Sequence, residues 1–207
     1  MDERAVRRGG ESRSERVGFE RSKRAATLIA REELETNRRF VCTRSPLRSS
    51  PRALGRDHLQ GDIALAFLQH WQTTHDLKWL KSEGFPVIHE LARFWVSRAD
   101  FDDGDESWHI RSTMSPDEYA SNKTDPPYTI SVAKISLLAA YELASICGQT
   151  PNMTFKIIAD ALPLLYNSTL DYHPEHVGYE PTQRIKQADV VMLGSPLCVQ
   201  MEPQTMK

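Results

Sequence analysis

The chain divides near residue 56 into two parts whose compositions allow different structures. Residues 1–56 contain 15 of the 26 Lys and Arg residues and 8 of the 28 Asp and Glu residues, a net charge of +7. Residues 57–207 have a net charge of −9 and contain all 7 histidines and all 4 tryptophans. Because apolar residues are sparse in the first part, a hydrophobic core has to be built from the second.

The first part, residues 1–56, is expected to be a disordered basic arm. Its arginines are interspersed with Ser, Gly and Pro, as in residues 44–52, and such a segment cannot bury enough apolar surface to offset its ordering entropy. Residues 25–34 are an exception, since their apolar spacing allows a short amphipathic helix. A basic arm can contact nucleic acid through phosphates. The composition favours a solvated tail instead, and no nucleic-acid partner is expected.

The sequence has features typical of a protein that stays in a reducing compartment. No apolar segment follows the early charges, which argues against a secretory signal. The three cysteines, Cys42, Cys147 and Cys198, are widely spaced and form no CxxC pair. No apolar run is expected to approach the length of a bilayer-spanning helix. We therefore expect a cytoplasmic protein with no membrane partner.

No motif in the sequence predicts a cofactor or a metal ion. Neither a GxGxxG nor a Walker motif occurs, so nucleotide binding has no support. His89 and Glu90 begin like a zinc-protease helix, but Arg93 stands where the second histidine ligand is required. His173 and His176 lack a third ligand at characteristic spacing, so a surface loop is the expected place for them.

The apolar spacing of residues 57–98 predicts two helices. Asp62 is the predicted N-cap of the first, which continues to Trp71. Pro86 suits the first turn of the second helix, in which apolar residues recur at positions i, i+1, i+4, i+7 and i+8. This recurrence gives the second helix one buried face.

Two more helices and one short strand are predicted further along the chain. The helices cover about residues 129–147, ending at Gly148, and residues 154–162. The strand is predicted at residues 108–110, after an acidic turn. Helices joined by turns predict an all-α fold built from antiparallel helical hairpins.

Residues 114–119, Met-Ser-Pro-Asp-Glu-Tyr, place two acidic side chains in a turn. Pro116 favours a turn, so Asp117 and Glu118 are expected to lie outside any helix. A carboxylic acid near aromatic rings such as that of Tyr119 can have its pKa raised by desolvation, and a general acid needs a raised pKa to hold its proton near neutral pH. A Pro-Asp-Glu turn also occurs at the start of capped helices, so these residues alone leave both interpretations open.

Seven stretches of the sequence, taken in order, resemble glycoside hydrolase family 65. They are residues 58–67 (HLQGDIALAF), 76–80 (DLKWL), 83–88 (EGFPVI), 94–98 (FWVSR), 114–119 (MSPDEY), 178–180 (GYE) and 186–191 (KQADVV). Each stretch is weak alone, but together they extend over about two-thirds of the chain. The family includes maltose, trehalose and kojibiose phosphorylases and acid trehalases.

The resemblance implies a fold, a reaction and three site residues. The catalytic domain of the family is an (α/α) barrel, so residues 57–207 are expected to form an incomplete (α/α) six-hairpin toroid. Glu118 matches the general acid that protonates the glycosidic oxygen, while Lys186 and Gln187 match the pair that hydrogen-bonds the glucosyl unit. The family inverts the anomeric carbon: phosphorylases attack with phosphate, and hydrolases use a water activated by a second carboxylate, roughly 6.5–9.5 Å from the acid.

Parts of the family pattern have no counterpart in this sequence. In the family the catalytic base or the phosphate loop follows the Lys-Gln text, and a histidine stands where this chain has Ala120. The expected function is hydrolysis of an α-glucoside by a partial-length member, with collagen-derived glucosylgalactosyl-hydroxylysine as the specific candidate. The alternatives are a non-catalytic helical fragment acting as an interaction module and a family phosphorylase.

Overall fold

The computed structural model describes residues 55–201, and most of its regular structure is helical. The helices are α1 (His58–Thr74), α2 (Leu77–Trp79), α3 (Phe85–Arg98), α4 (Pro127–Ile146) and α5 (Met153–Ala161), with a π-helical turn at Leu80–Gly84 and a 3₁₀ helix at Asp189–Leu193. Two strands, β1 (Ala99–Asp102) and β2 (Ser107–Ile110), follow α3. The predicted disorder of the basic arm concerns mainly residues 1–54, which lie outside the described residues.

Helix α4 forms the centre of the hydrophobic core. It packs against α1, α3 and α5, and 13 of its 20 residues are buried. By length and composition alone it could also cross a membrane, so the expectation that no apolar run approaches that length is wrong. Burial among three other helices accounts for its apolar composition.

The two strands form an antiparallel hairpin, so the all-α prediction needs correction to a helix-rich fold with one β-hairpin. Ala99 pairs with Ile110 and Phe101 with Trp108. Trp108 is fully buried, and its ring meets that of Phe101 edge to face. The short strand predicted at residues 108–110 is confirmed. Its partner strand was not predicted, because two of its four residues are aspartates, which are rare in strands and favour the acidic turn expected there.

The predicted starts and ends of three helices agree with the structure. Pro86 lies in the first turn of α3, α4 ends just before Gly148 with its φ of +76°, and α5 occupies the predicted segment. The π-helical turn ends two residues before Pro86. Proline has no N–H group, and its ring would clash with the carbonyl group of Ser82 in a continuous α-helix, so a departure from regular α-helical geometry is expected here.

Helix α1 begins four residues before the predicted cap. Its first residue is His58, so Asp62 lies inside the helix, where its carboxylate accepts a hydrogen bond of 2.7 Å from the Tyr128 hydroxyl of α4. Gly61 lies against Val132 of α4: a Cβ atom at position 61 would stand only 2.4 Å from the Val132 Cβ atom. The absence of a side chain at Gly61 therefore allows α1 and α4 to approach each other closely.

We expect Gly61→Ala to destabilise the chain by about 1–3 kcal/mol, because the added methyl group forces α1 away from α4. Helix propensity alone predicts the opposite sign, since alanine is about 1 kcal/mol better than glycine within a helix. Urea denaturation measures the difference. Ala66→Gly, at an exposed position of α1, is the control for propensity. A rise in the unfolding free energy of Gly61→Ala would show that the contact does not require glycine.

His109 of β2 joins the hairpin to the segment that leads into α4. Its Nδ1 atom lies 2.6 Å from a carboxylate oxygen of the buried Asp125, and its Nε2 atom lies 3.0 Å from a carboxylate oxygen of Asp105. Burial alone would lower the pKa of His109, but hydrogen bonds and charges of the two aspartates outweigh it and raise the pKa above its ordinary value. The folded state therefore favours the protonated imidazole.

The stabilisation by His109 should consequently depend on pH. It is fully present below about pH 6.5, the unfolded value, and is lost as the pH rises through the raised pKa of the folded state. We expect the difference in unfolding free energy between the wild type and His109→Gln to be larger at about pH 5.5 than at about pH 8.5. Denaturant titrations at both pH values measure it. An equal difference at the two values would mean that His109 does not gain charge on folding.

Candidate active site

The turn at residues 115–119 is positioned by the N-terminal end of α1. The Met114 N–H group donates to the Gly55 carbonyl at 2.8 Å, and the Thr113 hydroxyl donates to the same oxygen at 2.7 Å. The His58 Nδ1 atom donates to the Met114 carbonyl at 3.0 Å. The last two residues of the sequence-defined arm, Gly55 and Arg56, thus contact the folded part of the chain.

Asp117 stabilises the turn through hydrogen bonds made by its buried side chain and its carbonyl group. Its side chain is buried, with 1% of the residue exposed. The Oδ1 atom accepts the N–H group of Tyr119 at 3.1 Å, and the Asp117 carbonyl accepts the N–H group of Ala120 at 3.0 Å. The turn predicted from Pro116 is therefore present. Asp117 points inward and Glu118 outward.

Glu118 and Lys186 lie side by side although 68 residues separate them in the chain. The Lys186 Nζ atom donates to the Glu118 Oε2 atom, and an Arg56 nitrogen donates to the Oε1 atom at 3.0 Å. Both side chains are open to solvent, with 38% of Glu118 and 46% of Lys186 exposed. The structure therefore brings together two of the three residues that the resemblance assigns to the site.

The third residue, Gln187, follows Lys186 and is exposed. Arg184, two residues before Lys186, lies over the ring of Tyr119 at 5.7 Å from its centroid. We call residues 184–188, which form no regular secondary structure, the Lys186 loop. The loop and the turn at residues 115–119 form one exposed polar surface.

The environment of Glu118 differs from the expected apolar pocket. The side chain is solvent-exposed, and Tyr119 is itself 55% exposed. The hydrogen bond and the charge of Lys186, together with the charge of Arg56, lower the pKa of Glu118 below its ordinary value. The expectation of a pKa raised by desolvation is therefore wrong. Glu118 is ionised near neutral pH.

Two buried carboxyl groups behind the turn were missed from the sequence. Glu175 and Asp189 are 4% and 0% exposed. Burial, with the nearby charges of Asp189 and Asp117, raises the pKa of Glu175 to about 7. Burial also raises the pKa of Asp189. Asp189 stands within the KQADVV text, where its apolar neighbours signal burial, whereas nothing around Glu175 in the sequence gives such a signal.

The histidines of residues 173–176 do not form a metal site. His173 and His176 each donate from Nδ1 to a backbone carbonyl, those of Leu165 and Val177, at 2.5 and 2.8 Å. His176 is buried rather than in an exposed loop, with 2% exposure. Within residues 55–201, no group of three His, Cys, Asp or Glu side chains is placed to hold a metal ion.

A cleft of about 460 Å³ lies along residues 165–179 but does not include Glu118 or Lys186. Its polar side chains support the local loop. The Asn167 carboxamide oxygen accepts two backbone N–H groups, those of Thr169 and Leu170, both at 3.0 Å. The surface around Glu118 is the better candidate, because a carboxylate and an ammonium group pair there and the exposed amide residue Gln187 follows Lys186 in the chain. Such groups can bind sugar hydroxyls and exchange a proton.

Comparison with known proteins gives the family. The model of the glycosyl hydrolase family 65 central catalytic domain matches residues 32–163, which include Glu118 but not Lys186. A protein-glucosylgalactosylhydroxylysine glucosidase of Danio rerio is 39% identical over 71% of this chain and 23% of its own length. The enzyme of that name from Dictyostelium discoideum is 35% identical over 76% of this chain and 22% of its own. The chain thus spans less than a quarter of these relatives.

A solved structure agrees with the family 65 match at the level of the fold. A protein of the human microbiome, provisionally described as a kojibiose phosphorylase, superposes with a TM-score of 0.50 at 17% identity, covering 57% of this chain and 20% of the other. At that identity the likeness concerns the fold alone. The family match extends over more than half of the sequence and includes the turn that carries Glu118. The chain belongs to glycosyl hydrolase family 65.

Proposed function

We propose that residues 57–201 supply the proton donor and the glucose-binding side chains of an inverting α-glucosidase. Its helices form part of an (α/α) barrel. The substrate class is an α-glucoside, and the names of the relatives favour glucosylgalactosyl-hydroxylysine. The observation that carries the proposal is the contact between Glu118 and Lys186. These residues are 68 positions apart in the sequence of a family 65 member, and the family pattern assigns both of them to the site.

The pairing of Glu118 with Lys186 suggests how the acid becomes protonated. Lys186 is the main cause of the lowered pKa of Glu118. When glucose hydroxyls bind the Lys186 ammonium group and the Gln187 amide, Lys186 is drawn away from Glu118, and the pKa of Glu118 rises. Displacement of water by the sugar raises it further. The acid then donates its proton to the glycosidic oxygen as the bond to the anomeric carbon breaks.

Hydrolysis also needs an activated water on the opposite face of the sugar. In an inverting enzyme a second carboxylate removes a proton from that water. Glu118 is the one carboxylate at this surface that the family pattern assigns to chemistry. We therefore expect no turnover from the 207-residue chain alone, and a complete domain is needed to test the acid.

Glu118→Gln should lower turnover by about 10²–10⁴-fold in such a domain, because glutamine keeps the shape and removes the transferable proton. A suitable protein is a chimera in which residues 58–193 replace the matching segment of the Danio rerio relative. Release of glucose from glucosylgalactosyl-hydroxylysine is the assay. An aryl glucoside with an acidic leaving group needs less protonation and should lose less activity.

Glu142→Gln is the matched control, since it makes the same change at an exposed position of α4. We expect full activity from this variant. A Glu118→Gln chimera as active as its parent would refute the assignment of the acid. Turnover that requires inorganic phosphate and yields glucose 1-phosphate would identify the protein as a phosphorylase instead.

A further inference from the structure

The Lys186 loop is tied to the turn at residues 115–119 by one buried carboxyl group, that of Asp117. Lys186 and Gln187 are themselves exposed, and the loop has no helix or strand to fix its course. An exposed loop of this kind is normally mobile. Here the tight pairing of Lys186 with Glu118 requires that the backbone of Lys186 be held in place.

Asp117 holds the middle of the loop, at Lys186. Its Oδ1 atom accepts the backbone N–H group of Lys186 at 2.9 Å, in addition to that of Tyr119. One buried oxygen thus joins the turn that carries Glu118 to the residue that carries the ammonium group, across 69 positions of the chain. A hydrogen bond to a buried carboxylate is stronger than one between neutral groups.

The end of the loop is fixed by burial of the next element. Asp189 and Leu193, the first and last residues of the 3₁₀ helix directly after the loop, are both 0% exposed, and this helix packs against α4. The loop therefore lies between the hydrogen bond at Lys186 and a 3₁₀ helix that is packed on the core.

We propose that Asp117 is a positioning residue: its carboxylate holds the backbone of Lys186 and keeps the Lys186 ammonium group beside Glu118. The Asp117 side chain is buried, so it acts through Lys186 rather than on the substrate. Its role in glucoside hydrolysis rests on the proposed function, but the positioning itself is a property of the chain alone. It can be measured without turnover.

The pKa of Glu118, followed by ¹³C NMR of the 207-residue protein, reports the position of Lys186. Lys186→Met removes the ammonium group and should raise that pKa. This rise is the largest change that displacement of Lys186 can produce, and the other variants are compared with it. Asp117→Ala should produce most of this rise, because the loop loses its anchor. Asp117→Asn removes the same charge but keeps the accepting oxygen, so it should produce little of the rise.

Equal pKa values of Glu118 in the wild type and in Asp117→Ala would overturn the proposal, as would a Lys186→Met variant without effect. The titration of His109, which lies in the hairpin, reports whether each variant is folded.

If Asp117→Ala does not fold, hydrogen exchange of the wild type decides. The Lys186 amide should exchange slowly although its residue is exposed, and fast exchange would overturn the proposal. These results are independent of activity. A chimera without glucosidase activity would refute the proposed function and leave the positioning role intact. A Glu118 pKa that does not change in Asp117→Ala would refute the positioning role and leave the proposed function intact.

Discussion

The arrangement of the described residues depends on the contact between α1 and α4 at Gly61 and Val132. Because a glycine allows these two helices to approach closely, the first turn of α1 lies at a fixed place on the core. His58 of that turn then bonds to the carbonyl of Met114, and the turn bearing Glu118 follows directly. The contact between Gly61 and Val132 in the core therefore helps to determine the position of the exposed Glu118 carboxylate. The stretch HLQGD of the sequence is explained in the same way, since its histidine, glycine and aspartate each serve a separate contact between elements.

Local sequence signals located most of the helices. Pro86 and Gly148 act through the backbone of their own neighbourhood, so their effect is visible without knowledge of the fold. The start of α1 was misplaced for the opposite reason. Asp62 has the chemistry of a helix cap, but Tyr128, 66 residues further along, supplies the partner that its carboxylate uses. The partner strand of the hairpin was assigned to an acidic turn, because its two aspartates have the composition of a turn although the backbone is extended.

For the site, family resemblance identified residues that composition and spacing could not. Glu118 and Lys186 come together in the structure, yet nothing near either residue in the sequence signals the other. The environment of Glu118 was not predictable, because its pKa depends on Lys186 and Arg56, which lie 68 and 62 residues away. Glu175 was missed because burial of a lone glutamate between two histidines leaves no periodic signal. Long-range contacts, rather than residue type, determine the chemistry of this surface.

The apolar character of α4 has a consequence for the synthesis of the protein. A helix of this composition, newly made and unpacked, exposes an apolar surface that favours association with other apolar surfaces. The order of elements limits this exposure. Helices α1 and α3 leave the ribosome before α4, and α5 begins seven residues after it ends. Two of its three packing partners thus precede α4 in the chain and the third follows after a short connection, so the apolar faces of α4 can be covered soon after they are made.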